Sequence, residues 1–346
     1  MMKILLAILM SLSLLTGCSE PQHSASNYQV YVFGTLVDIT LWGARPEQEE
    51  KAVATITQDF QRMHHDWHAW NPGPLVDINK AIATGQPATV IPSLIPIIEQ
   101  STVLSRQSEG LFDPAIGGLL NLWGFQSDGR PNGPPPDKAA IAKWVEAAPR
   151  MDDITLEGDT LRSSNPAVQL DFGAFAKGYA VDLAIERLRE FGIDNAIINA
   201  GGDLRAIGSK DGKPWRVGIR HPQGEGVLAA LDVSGDESVF TSGNYERYRE
   251  YEGVHYAHIL DPRTGMPVDG VTSVTVIHDN GAVADAAATA LVVAGPRDWH
   301  RIAKQMGIKY VMLVDDAGVV YMNPAMQKRV QFQDSPPADI RISDPL

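Results

Sequence analysis

The chain is short of the features that mark the commonest enzyme classes. It has a single cysteine, Cys18, so no intrachain disulfide can form. It has no Lys/Arg-rich block: 29 basic residues stand against 42 acidic ones, for a formal charge of −13, which argues against a nucleic-acid surface. No GxGxxG, no P-loop GK[ST] and no GxSxG occurs, and dinucleotide folds, P-loop NTPases and α/β-hydrolases lose their main support. Repeats and low-complexity segments are missing, and beyond the first twenty residues no run is apolar enough to span a membrane.

What is present fits a globular chain of 346 residues, 44% hydrophobic, long enough for one large domain or two lobes. "MMKILLAILMSLSLLTGCSE" carries one lysine and a short apolar run, then "LTGC", as a lipoprotein signal peptide does. Residues 1–17 are read as that signal, Cys18 as the lipidated residue and 18–27 as a polar linker. The folded domain is expected over 28–335, with 336–346 as a tail.

Residues 28–43 alternate as one or two strands, and 46–67, 93–109 and 137–148 have helical period. Strand-like runs follow around "NAGG" and in "WRVGIRHP", with further strands in "VTSVTVI" and the hairpin "KYVMLVDDAGVVYM". "ADAAATALVVAG" reads as a helix closed by Gly295, with a second helix over 297–306. Helices and hairpins mix without strict alternation, which predicts an α+β fold: mixed sheets with flanking helices.

The stretch "LDFGAFAKGYAVD" opens an amphipathic helix in which Phe175, Tyr179, Leu183 and Leu188 share a face, with Asp182 on the opposite one, and Gly192 stops it. Gly173 and Ala174 leave its entrance with bare backbone beside a carboxylate, Asp171, and an amine, Lys177. Asp285 and Thr289, four apart near a helix start, form a hard-oxygen pair suited to Mg²⁺; taken alone they read instead as a dipole-matched Asp and a core-facing Thr. His64 and His68 are also four apart, but "HHDWHAW" holds no HExxH and its tryptophans point to a packed aromatic corner. His258, before "ILDPRTG", reads on its own as a hydrogen-bonded structural histidine.

Taken in order, "FGTLVDI", "FDPAIGGLLNLWGF", "LDFGAFAKGYAVD", "NAGGDLRAIG", "WRVGIRHP", "TSGNYERY", "HILDPRTGMPV", "SVTVI" and "ADAAATAL" resemble the ApbE family of FAD:protein FMN transferases. That resemblance, from about Tyr28 to near Met322, implies two lobes around a flavin-binding cleft. It further implies a lipoprotein on the periplasmic side of a bacterial membrane, the inner one favoured. There it would use FAD and Mg²⁺ to move FMN onto a Ser or Thr of an acceptor protein, releasing AMP. Asp171, Lys177, Leu111, Phe112 and Asp113 match FAD-contacting positions, with Phe33, Trp70 and Leu260 as lesser contacts. The Ala174 carbonyl, Asp285 and Thr289 match the metal ligands, and Ala288 stands where some members place a further carboxylate. His258 is the expected general base or proton relay and Asp261 the alternative, although a "DP" aspartate commonly caps its own turn. Two alternatives stand beside it: a metal-dependent FAD pyrophosphatase releasing FMN and AMP, which the same residues serve, and a flavin-binding lipoprotein without turnover, against which the Asp285/Thr289 pair argues.

Overall fold

The computed structural model describes residues 24–127, 129–333 and 336–346. The expected signal segment and Cys18 lie outside the described residues. Nine strands form one central sheet: β1 (Ala25–Val32), β2 (Thr35–Trp42), β3 (Ala196–Ala200), β4 (Asp203–Gly208), β5 (Gly235–Gly243), β6 (Val271–His278), β7 (Tyr310–Asp315), β8 (Val320–Met322) and β9 (Ile340–Ile342). They lie side by side in chain order. Each neighbouring pair is antiparallel except β8 and β9, which run parallel. The segment expected as a tail therefore supplies the sheet's last strand. At the other end, Ala25 to Asn27, expected as linker, belong to β1.

Two tight turns bring strand ends toward the helices. Phe33 and Gly34 both take positive φ (54° and 73°), as a two-residue turn matched to the strand twist requires. Gly201 and Gly202 do the same between β3 and β4, and a Cβ on Gly201 would lie 2.4 Å from Thr35 Oγ1. These two hairpin tips touch.

One face of the sheet is covered by helices, among them α1 (Pro46–Asp66), α2 (Pro74–Ala83), α3 (Ile95–Gln107), α6 (Ala176–Glu190) and α7 (Gly281–Gln305). Val37, Ile39 and Leu41 of β2 point into this main core by strict alternation and are fully buried. On the opposite face Leu204, Val239 and Met312 pack on Val217, Leu231 and Val233 of a small sheet made by 215–220, 227–233 and 331–332. A third cluster joins α4 (Gly117–Leu122) and α5 (Lys138–Ala147) to the hairpin at Leu260, around the fully buried Trp123.

Two helices depart from expectation. The two C-terminal helices expected on either side of Gly295 abut directly within α7, because Gly295 (φ 69°) and Pro296 kink the helix without a loop between. In α6 the buried stripe is Gly178, Val181, Ile185 and Leu188, and it includes Asp182. Asp182 thus faces inward rather than to solvent.

Candidate active site

The site is assembled where α6 crosses α7. A Cβ on Gly178 would lie 2.2 Å from the Gly281 carbonyl oxygen, so only glycine permits this approach. At that crossing the Gly178 N–H donates to Asp285 Oδ2 of α7 at 3.0 Å. Its ordinary helical acceptor four residues back is the Ala174 carbonyl. Among the described residues no backbone or side-chain donor reaches that carbonyl. The entrance of α6 therefore leaves a carbonyl oxygen open near a buried carboxylate.

Thr289 follows Asp285 by one turn of α7, and its hydroxyl lies 3.2 Å from Ser242 Oγ at the end of β5. Carbonyl, carboxylate and hydroxyl are all hard oxygens, the donor set Mg²⁺ takes when it keeps waters and phosphate oxygens as further ligands. No group of three or more His, Cys, Asp or Glu arranged to hold a metal exists among the described residues. Any ion here would draw the rest of its negative charge from a ligand. Ala288, where a further carboxylate could have stood, is fully buried in the main core.

Lys177 pairs with Asp203, the residue after the Gly201–Gly202 turn. Asp203 Oδ1 also accepts from Thr241 N at 3.0 Å. Burial alone would lower the lysine pKa, but the carboxylates of Asp203, Asp285 and Glu246 outweigh it and hold the ammonium charged. Burial in turn pushes Asp285 up to about 7, against the pull of Lys177. The pocket thus has one firmly held cation and a carboxylate short of positive charge. Asp171 turns back on its own loop: Oδ1 accepts from Gly173 N at 2.9 Å, and Oδ2 from Gln126 Nε2 at 2.8 Å. It shapes the bare entrance to α6.

The aromatic corner is as expected. Phe33 packs on Phe60 and stacks with Trp67, His64 and His68 stand edge to edge, and Trp70 lies against His68. The indole N–H groups of Trp67 and Trp70 are buried without a hydrogen-bond partner among the described residues. Such donors are costly to leave unpaired, which suits a wall that meets a ligand with acceptor atoms. Leu111 and Phe112 are placed differently: both are buried in the main core, and the Phe112 N–H and carbonyl are bonded to Ser108 Oγ within the loop. Asp113 is held by Ser105 Oγ and Ala115 N, each at 3.0 Å, and burial pushes it up to about 6. Its geometry makes it the brace of this loop. Leu260 sits in the third cluster, beside Trp123.

His258 is half-buried, with Nδ1 3.0 Å from the Arg247 carbonyl. That contact assigns the proton to Nδ1 and leaves Nε2 as an acceptor. Burial, with Arg247 and Lys177 nearby, lowers its pKa to about 4, so the ring is neutral near pH 7. Asp261 is engaged in its own turn. It accepts from Arg263 N at 2.9 Å and forms a two-point pair with the Arg263 guanidinium, which makes it a turn cap. Sequence reasoning missed Asp203, Ser242 and Gln126. Only Asp203 carried a visible signal, since it directly follows the paired glycines.

Residues 33–312 match the model of the ApbE family. A Rhodobacter capsulatus protein named FAD:protein FMN transferase is 47% identical over 315 residues, which are 91% of this chain and 60% of that protein. One of the same name from Vibrio cholerae is 30% identical over 313 residues, 89% of this chain and 93% of its own. The crystal structure of the ApbE protein from Thermotoga maritima has a TM-score of 0.81 at 29% identity, covering 90% of this chain and 100% of that one. The flavin transferase ApbE from Vibrio cholerae gives a TM-score of 0.77 at 28% identity, covering 89% and 99%.

Proposed function

The chain belongs to the ApbE family, and from that premise we propose that it is an FAD:protein FMN transferase. FMN passes from FAD to a Ser or Thr hydroxyl of an acceptor protein, and AMP is released. The observation that carries this reading is the open Ala174 carbonyl at the α6 entrance, left free because Gly178 N donates to Asp285. An open carbonyl close to a buried carboxylate is a pair of hard oxygens that would suit a divalent cation.

The chain's own groups divide the work. Ala174, Asp285 and Thr289 would hold Mg²⁺, which when bound neutralises charge on the pyrophosphate. Lys177 keeps two N–H groups for a phosphate beyond its pair with Asp203. The acceptor hydroxyl attacks the FMN-side phosphorus, forming one O–P bond as the bond to the bridging oxygen breaks, and AMP departs with that oxygen. His258 Nε2 takes the hydroxyl proton. The Phe33–Trp67–Trp70 corner supplies an aromatic wall for the isoalloxazine ring. Incubating the protein with FAD, Mg²⁺ and a candidate acceptor domain, then weighing all products, tests the proposal. An acceptor heavier by one FMN, with AMP, supports transfer. Free FMN plus AMP with an unmodified acceptor makes the protein a pyrophosphatase, and unchanged FAD makes it a flavin carrier.

Lys177→Ala should weaken FAD binding and also destabilise the fold, because it strands the buried Asp203; breaking such a pair costs on the order of 3 kcal/mol. Adding Asp203→Asn should restore the thermal midpoint but not the FAD affinity. Equal FAD affinity in the double variant and the wild type, measured by fluorescence titration, would take Lys177 out of the binding site.

We assign the lipid to Cys18 and place the mature protein on the periplasmic side of a membrane, the inner one favoured. Cys18→Ser should leave transfer intact and move the protein to the soluble fraction. Retention of that variant on membranes after a salt wash would refute the anchor.

A further inference from the structure

We infer that Asp182 is a positioning residue of the metal site, acting from α6 as a clamp on the first turn of α7. This rests on the transferase reading, and it concerns how the two helices carrying the ligands are held in register.

Asp182 lies two turns along α6 from Ala174, buried and inward-facing. Its Oδ1 accepts from Gly281 N at 2.8 Å and its Oδ2 from Ala282 N at 3.0 Å. Val283 N, the next amide, is satisfied by Asn280 Oδ1 at 2.8 Å. The first amides of α7 are therefore bound not only by their own cap but by a carboxylate on the neighbouring helix. An anionic acceptor at a helix start is favoured by both its hydrogen bonds and the helix dipole. The same carboxylate pairs with Arg205 of β4, whose guanidinium also holds Asp236 at 2.8 and 3.0 Å. Asp182 is thus fixed from the sheet side before it fixes α7.

The consequence reaches the ligands directly. Asp285 stands one turn beyond Gly281, and its Oδ2 accepts from Gly178 N on α6. Gly178 and Gly281 are in backbone contact, and a Cβ on Gly281 would lie 2.8 Å from Asp182 Oδ1. Asp182 below and Asp285 above hold the same glycine crossing between them. Together they set the distance between the Ala174 carbonyl on one helix and the Asp285 carboxylate on the other. A buried carboxylate is costly unless it is paired and hydrogen-bonded; Asp182 has three partners, and two of them are the amides that fix where α7 begins.

The test measures metal, not only turnover. Replacing a group that orients a ligand typically weakens metal binding on the order of 10- to 100-fold. We expect that loss for Mn²⁺, titrated calorimetrically into FAD-loaded Asp182→Ala protein. Asp182→Asn, which keeps one acceptor, should fall between it and the wild type. FAD affinity in EDTA should stay near wild type, and transfer should recover as Mg²⁺ is raised, so that the metal requirement shifts rather than kcat at saturation. Amide exchange at Gly281 and Ala282 should speed up in both variants. If Asp182→Ala does not fold, Asp182→Asn alone decides by the same readings. Unchanged Mn²⁺ affinity in a folded variant overturns the inference and leaves the transferase reading standing. Wild-type protein that binds no Mn²⁺ with FAD present and transfers no FMN overturns both.

Discussion

Asp285→Asn should bind FAD and fold, yet transfer FMN at a rate reduced about 10³-fold or more. The variant is isosteric, and its amide oxygen can still accept from Gly178 N, so the α6–α7 crossing is preserved. What it removes is the one anionic group in the proposed ligand set, otherwise made of the Ala174 carbonyl and the Thr289 hydroxyl. Charge neutralisation by a bound cation contributes several kcal/mol to such a displacement, and each 1.36 kcal/mol is a factor of ten. Thr289→Val should do less, since water can replace a neutral ligand and Ser242 can rebond to solvent. Ala174→Ser should be nearly silent, because its contribution is backbone. EDTA should stop the wild type and added Mg²⁺ should restore it. Transfer at full rate by chelated protein verified metal-free, or by Asp285→Asn, would show that the oxygen cluster at the crossing is not the metal site.

The elements legible in the sequence were those whose signal is local. The β1–β2 alternation, the long amphipathic α1 and the β7–β8 hairpin follow from period and turn chemistry alone. The helix Pro74–Ala83 and the three-stranded sheet of 88–89, 154–157 and 160–163 did not stand out, being short pieces whose apolar residues are shared with a distant core. Asp182 is the instructive miss. Helical period with polarity places it on the solvent face, and only the arrival of Arg205 and the α7 amides, about 20 and 100 residues later, makes it an inward residue. Leu111 and Phe112 mislead in the opposite way: a motif identifies the loop, but both residues are buried in the core and the Phe112 backbone is bonded to Ser108 within the loop. Asp203 and Ser242 reach the site through strand register, which a linear reading cannot align. Motifs pointed to the candidate residues; long-range pairing decides which of their atoms meet at the α6–α7 crossing.

His258→Asn should retain FAD affinity and lose transfer on the order of 10²-fold or more, the usual worth of a positioned proton acceptor. The asparagine can keep the contact now made by Nδ1 to the Arg247 carbonyl, so the loss isolates Nε2. The pKa of about 4 sets the pH behaviour. Burial and two nearby cations depress it, so in the free protein the ring is neutral and able to accept a proton throughout the neutral range. It is lost as a base only when the pH falls toward 4. A base that weak would be poor against an isolated hydroxyl. The substrate changes that balance: a pyrophosphate beside Lys177 offsets the cation that holds the imidazole pKa down, so FAD binding should raise it toward the working pH. Titration of the His258 ring followed by NMR should therefore show a midpoint near 4 without FAD and a clearly higher one with it. A midpoint that FAD does not move, together with a His258→Asn rate equal to wild type, would transfer the proton to another acceptor and leave His258 as a brace for the backbone at Arg247.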